Sequence, residues 1–193
     1  MDSSFEIVPD GDLIIHLVKS EGSEASDDED LSDPPDIATS ATLKVNRAIL
    51  IKNSTYFSRL LAGGFKEEQQ STVTLRDDRV QAMLIWLKHF HDVDLADTFH
   101  VSHHEIWYLV AAADKYDFEV KHLKGWFAEW YRRAKLDRID SKELLFPFWI
   151  FDHARGFQRV TTDLVYNSPK GIYEVNPTRL HRLHVRPLIM RKF

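Results

Sequence analysis

Two short apolar segments flank a stretch that cannot enter a core, and this arrangement limits the folds open to the chain. Residues 12–18, Asp-Leu-Ile-Ile-His-Leu-Val, are rich in branched side chains and bounded by Gly11 and Lys19-Ser20, which is the pattern of a buried strand. Residues 42–45, Thr-Leu-Lys-Val, form a second such segment, followed by Ala48-Ile49-Leu50. Between them, residues 21–36 hold eight acids and no base and end in Pro34-Pro35. That stretch buries too little apolar surface to offset its ordering entropy. The expected arrangement is a hairpin whose loop is swollen by a disordered acidic insertion, residues 21–37. Loop closure becomes costlier only slowly with length, so the strands still pair.

Helical spacing dominates the rest. Asn53-Ser54 precedes Tyr56, Phe57, Leu60 and Leu61, a capped helix face that Gly63-Gly64 stops. A third strand is expected at Val73-Thr74-Leu75. Asp77 or Asp78 is expected to cap a helix carrying Val80, Met83, Leu84, Trp86, Leu87 and Phe90. Ser102 and Glu105 make a capping box at the head of a helix with Ile106, Leu109, Val110, Ala113 and Tyr116 on its inner face. Further helices are expected over residues 123–131, over residues 144–154, which are aromatic on nearly all sides, and over residues 157–166. A last one, over residues 178–190, is broken at Pro187. Early strands with later helices give the α+β class, here a small three-stranded sheet capped by helices and followed by an all-helical extension.

Composition removes whole classes of function. With no cysteine there are no disulfides, thiol nucleophiles or cysteine-type zinc sites. The first ten residues lack the basic and apolar regions of a signal peptide, and no apolar run approaches the ~18 residues of a membrane span. Without a signal, the Asn53-Ser54-Thr55 sequon has no use. No nucleophile elbow, phosphate-binding loop or dinucleotide fingerprint occurs, so an enzyme is not expected, nor is a cofactor. The net charge of −5 resides in the acidic insertion, which leaves the remainder mildly basic. The five bases of residues 179–192 are interrupted by Leu180, Leu183, Val185 and Leu188 and read as the outer face of a packed helix, so nucleic acid is not an expected partner. Arg191-Lys192-Phe193 continues a helical pattern without a stop signal.

Several of these segments together resemble the BTB/POZ domain. The resemblance is carried by Gly-Asp-Leu-Ile-Ile-His-Leu from Gly11, residues 43–50 (Leu-Lys-Val-Asn-Arg-Ala-Ile-Leu), Ser54-Thr55-Tyr56-Phe57, and residues 64–68 (Gly-Phe-Lys-Glu-Glu). Val73-Thr74-Leu75 and Ala112-Ala113-Asp114-Lys115-Tyr116 continue it, the last being the most specific. Trp126, Trp130, residues 148–151 and residues 164–168 are similar to the helical regions of fungal BTB proteins. The resemblance implies a protein-interaction module with a BTB domain over residues 1–135 and a helical extension over 136–193. Asn46 stands where the family pattern has histidine. Only about ten residues precede Asp12, and they end in a Pro9-Asp10-Gly11 turn, with no room for the leading helix of dimeric relatives. Homodimerisation of that kind therefore does not carry over directly.

The resemblance also names candidate sites. Phe65-Lys66-Glu67 matches the hydrophobic-x-Glu pattern that ligase-adaptor BTB domains present to a cullin scaffold, although Phe65 would equally suit capping the core after Gly64. Asp12 and Arg47 correspond to a charged pair in a groove, with an ordinary surface salt bridge as the alternative. Ser26, followed by Asp27-Asp28-Glu29, fits an acid-directed kinase. The expected partners are a cullin scaffold or another BTB protein, in the cytoplasm, the nucleus or both. The alternative to a ligase adaptor is a self-associating or hetero-oligomerising scaffold in a regulatory complex. The aromatic run from Trp126 to Phe151 reads as core before it reads as a partner groove. The histidines His89, His91, His100, His103 and His104 lack a recognised metal-ligand spacing, so they read as solvated or hydrogen-bonded and no metal is expected.

Overall fold

In the computed structural model, residues 3–19, 40–63, 70–134, 141–167, 174–178 and 183 are described. The acidic insertion with Ser26, the Phe65-Lys66-Glu67 segment and most of residues 178–192 lie outside them. The chain divides into two compact units, one of residues 1–98 and 112–119, the other of residues 99–111 and 120–193.

The first unit is built on a mixed sheet of order β1-β3-β2-β4. Strands β2 (Leu13–Val18) and β3 (Ser40–Val45) pair antiparallel, with Val18 opposite Ser40 where the insertion leaves the sheet. This is the expected hairpin. Strand β4 (Thr72–Arg76) lies parallel to β2. The sheet has a fourth strand that the sequence reading lacked, β1 (Ser3–Glu6), parallel to β3. Alternation puts Leu13, Ile15, Leu17, Ala41, Leu43, Val45, Val73 and Leu75 on the buried face. One row crosses all four strands as Phe5, Leu43, Ile15 and Val73. On the other face Lys44 pairs with Glu6 at 3.0 Å.

Helices α1 (Arg47–Asn53), α2 (Thr55–Ala62) and α3 (Val80–Phe90) complete this unit with the end of α4 (His103–Tyr116). Residues 48–50 therefore belong to a helix immediately after β3. The apolar cover is aromatic: Phe57 stacks on Tyr116 at 5.4 Å, and Phe118 packs against Trp86 at 5.1 Å and Phe90 at 4.9 Å. Helix α3 is not capped by an aspartate. Arg79 is its N-cap residue and has no side-chain cap. Asp77 adopts a left-handed backbone (φ 61°), and the Asp78 carboxylate is used by Lys115 and Tyr116 instead.

The second unit holds the start of α4 together with α5 (Lys124–Arg133), α6 (Ser141–Ile150) and α7 (Ala154–Asn167). The expected helix over residues 144–154 is two elements: α6 ends at Ile150, Asp152 turns left-handed, and α7 begins at Ala154. The aromatic run is mostly core. Trp126, Phe127, Trp130, Phe146, Phe148 and Phe151 are all buried, and Phe127 lies flat on Phe151 at 4.4 Å.

Candidate functional site

In the first unit, Asp12 and Arg47 do meet, through the backbone. Arg47 is the first residue of α1, and its amide donates to Asp12 Oδ1 at 2.7 Å. Asn46 caps the same helix end: its Oδ1 accepts from the amides of Ala48 (3.0 Å) and Ile49 (3.4 Å). A carboxylate and a capping amide thus satisfy the first three amides of α1, with the negative charge at the positive end of the helix. The Arg47 guanidinium donates to the Gln70 carbonyl. Asn46 has a second use: its amide donates to His91 Nε2 at 2.9 Å, while His91 Nδ1 lies 2.7 Å from the Leu87 carbonyl. One ring nitrogen is therefore placed to accept and the other to donate, the pattern of the Nδ1–H tautomer. The family-pattern position with asparagine for histidine is a helix cap tied to the end of α3.

The Asp114-Lys115-Tyr116 stretch is a latch. Lys115 Nζ donates to the Arg76 carbonyl at 2.6 Å and to Asp78 at 2.9 Å, and the Tyr116 hydroxyl donates to the same carboxylate. Burial first, and then that hydrogen bond and charge, hold the phenol well above its ordinary value. At the other side Ser54 Oγ donates to the Tyr116 carbonyl at 2.6 Å while accepting from the Phe57 amide at 3.0 Å, and Thr55 donates to Asp117. Two motifs some sixty residues apart in the chain close on each other here.

In the second unit, α4 and α6 bring together residues the sequence did not link. Pro147 inside α6 has no amide hydrogen, so the Glu143 carbonyl four residues earlier lacks its usual helical donor. The Trp107 indole supplies one, donating to that carbonyl at 3.0 Å, and the Trp107 ring stacks on Phe146 at 5.0 Å. This fixes the first turn of α6 beside the first turn of α4. There His103 Nε2 sits 2.6 Å from Glu143 Oε2, with the His104 ring edge-on to His103 at 4.3 Å. Burial lowers His103 below the ordinary imidazole value. Of the other histidines singled out, His89 leans on Phe90 at 6.0 Å. The signal for Glu143 was absent from local spacing because it lies on another helix.

Residues 29–124 match the BTB/POZ domain. No curated protein matches the chain. The match runs from within the insertion through the Lys115-Tyr116 latch and agrees with the mixed sheet capped by helices, so the architecture is an α+β BTB-like fold followed by an all-helical region. BTB/POZ domains are generally non-catalytic and consistent with a protein-interaction role. No helix among the described residues is long and apolar enough to cross a membrane.

Proposed function

We propose that the chain is a non-enzymatic adaptor whose BTB-like unit docks on a cullin-type ubiquitin-ligase scaffold, as its resemblance to fungal BTB proteins with helical extensions suggests. The observation that carries this reading is the position of Phe65-Lys66-Glu67. This hydrophobic-x-Glu segment lies within the residues that match the BTB/POZ domain. An apolar anchor beside a charge is the usual composition of an interface hot spot and its rim. Asp12 and Arg47, at the start of α1, join it as candidate partner contacts. The cytoplasm, the nucleus or both would be the setting, and phosphorylation of Ser26 would add charge to the insertion.

A pull-down with a purified cullin N-terminal domain tests this. Wild type should be retained, and the double substitution Phe65→Ala with Glu67→Ala should not. Absence of wild-type binding at concentrations on the order of tens of micromolar overturns the adaptor role. A self-associating scaffold is the second reading. It is favoured by β1 and β4 being the outer strands of the described sheet, since outer strands carry backbone groups available for pairing. Light scattering that finds a strict monomer at high concentration removes the homodimer form of it.

A further inference from the structure

We propose that His103, His104 and Glu143 form a binding site for a divalent transition-metal ion of the zinc class. One ligand atom from each of the three residues lies within 4.8 Å of the other two. The site is built from fixed parts. The two histidines open α4, Glu143 lies in the first turn of α6, and the Trp107 indole bond to the Glu143 carbonyl ties those turns together at 3.0 Å.

The close approach of His103 to Glu143 points to the ligand. His103 Nε2 is enclosed and lies 2.6 Å from Glu143 Oε2, yet the two are not aligned as a hydrogen bond. An imidazole nitrogen and a carboxylate oxygen held this close are both donors that one cation can take. Bonds of ~2.0–2.1 Å in a tetrahedral shell separate neighbouring donors by roughly 3.3 Å. The His103–Glu143 pair would open slightly, within side-chain adjustment. Two imidazoles and one carboxylate suit zinc, cobalt or nickel better than calcium or magnesium, which prefer oxygen shells. The positive ends of α4 and α6 weigh against any cation. Coordination by imidazole outweighs this for a transition metal but not for a hard one. Three protein ligands leave a fourth position for an exogenous ligand, and the side chains of His103 and Glu143 are 21% and 20% exposed, so the cluster lies near the surface.

The test is a cobalt(II) titration of the untagged full chain, followed by visible absorption. Wild type should give the intense bands of a tetrahedral ion, saturating at one equivalent. Glu143→Gln, which changes one oxygen to an amide, and His104→Ala should each weaken binding by roughly tenfold or more. His122→Ala and His16→Ala should leave it unchanged. Zinc should raise the melting temperature of wild type and not that of Glu143→Gln, whose metal-free melting confirms that it is folded. No tetrahedral spectrum, or one that survives both Glu143→Gln and His103→Gln, overturns the proposal and marks any binding as adventitious.

Discussion

Two glycines show how one substitution can have opposite effects. Gly125 in α5 and Gly156 in α7 are both helical, where alanine is intrinsically better by roughly 1 kcal/mol. A Cβ on Gly125 would meet nothing within 4 Å. A Cβ on Gly156 would run into the ring of Phe148 and come 2.7 Å from His153 Nδ1. Phe148 has nowhere to go: it is fully buried against Tyr131 at 4.7 Å, His153 at 5.4 Å and Phe127 at 5.6 Å. Gly125→Ala should therefore stabilise by up to about 1 kcal/mol. Gly156→Ala should destabilise by about 1–3 kcal/mol through overpacking. Urea denaturation of the two variants reads both, and a stabilising Gly156→Ala would mean that the α6–α7 corner is looser than its packing indicates. The sequence announced neither effect. Gly125 lies at the start of an expected helix and Gly156 between two of them, and the difference comes from a ring eight residues back along the chain. Asp78 is similar: its spacing fits a cap for α3, but its partners at positions 115 and 116 are invisible to a local reading.

At the scale of elements, three helices end in the same unusual way. Asp92, Asp117 and Asp152 have φ of 52°, 57° and 52°, the left-handed region normally left to glycine. Each is followed by a residue whose amide returns five residues back: Val93 to Lys88, Phe118 to Ala113 and His153 to Phe148, all at 2.9 Å. This is the Schellman arrangement with aspartate at its strained position. Asp117 and Asp152 bond to Thr55 and Lys124. For the exposed Asp92, replacement by glycine should relieve the strain and stabilise by about 0.5–1 kcal/mol, net of the entropy glycine adds to the unfolded chain, as a thermal melt would register. Helix stops were thus half legible: apolar spacing gave the helix bodies, but aspartate at a C-terminus carries no clear stop signal. Strand β1 escaped for a related reason, since Ser-Ser-Phe-Glu has one apolar residue and joins the sheet through its backbone. By contrast, β2, β3 and the Ser54 cap were legible because alternation and capping are local.

Helix α5 ends in a charge cluster with a definite pH signature. Hydrogen bonds from Arg132 and then Arg133 hold the Glu129 carboxyl down at about 2, against an ordinary 4.5. The native state thus resists protonation where the unfolded chain accepts it. The contribution is fully present above pH 4.5 and disappears as pH falls towards 2. Solvent and salt screen such a surface cluster, so the effect is small. The melting temperature of wild type should exceed that of Glu129→Gln near neutrality, and the gap should narrow between pH 4.5 and 2 and in high salt. A gap that is constant across that range would assign the difference to something other than the ion pairs.

For the molecule as a whole, the composition of the two units bears on where it can be divided. The sequence placed a boundary after residue 135, where the BTB resemblance gives way to the extension. The folded chain groups α5 with α6 and α7, and α4 contributes residues to both units. Within the second unit Phe127 is fully buried, stacked on Phe151 of the α6–α7 corner at 4.4 Å and edge-on to Phe148 at 5.6 Å. A chain ending at 135 keeps α5 but removes both rings, exposing a face whose large side chains each lose about 1.5–3 kcal/mol of burial. That loss is comparable with the net stability of a small domain. The truncated chain should melt with reduced cooperativity, bind a hydrophobic dye and exchange the α5 amides quickly, while the amides of β2 and β3 stay protected. Hydrogen exchange followed by mass spectrometry distinguishes the cases. Equal protection of α5 in the full and truncated chains would make residue 135 a true domain edge. Loss of protection confined to α5 and the start of α4 would show that the last helices are a structural requirement of the segment immediately following the latch, and that a partner surface on the extension cannot be studied apart from it.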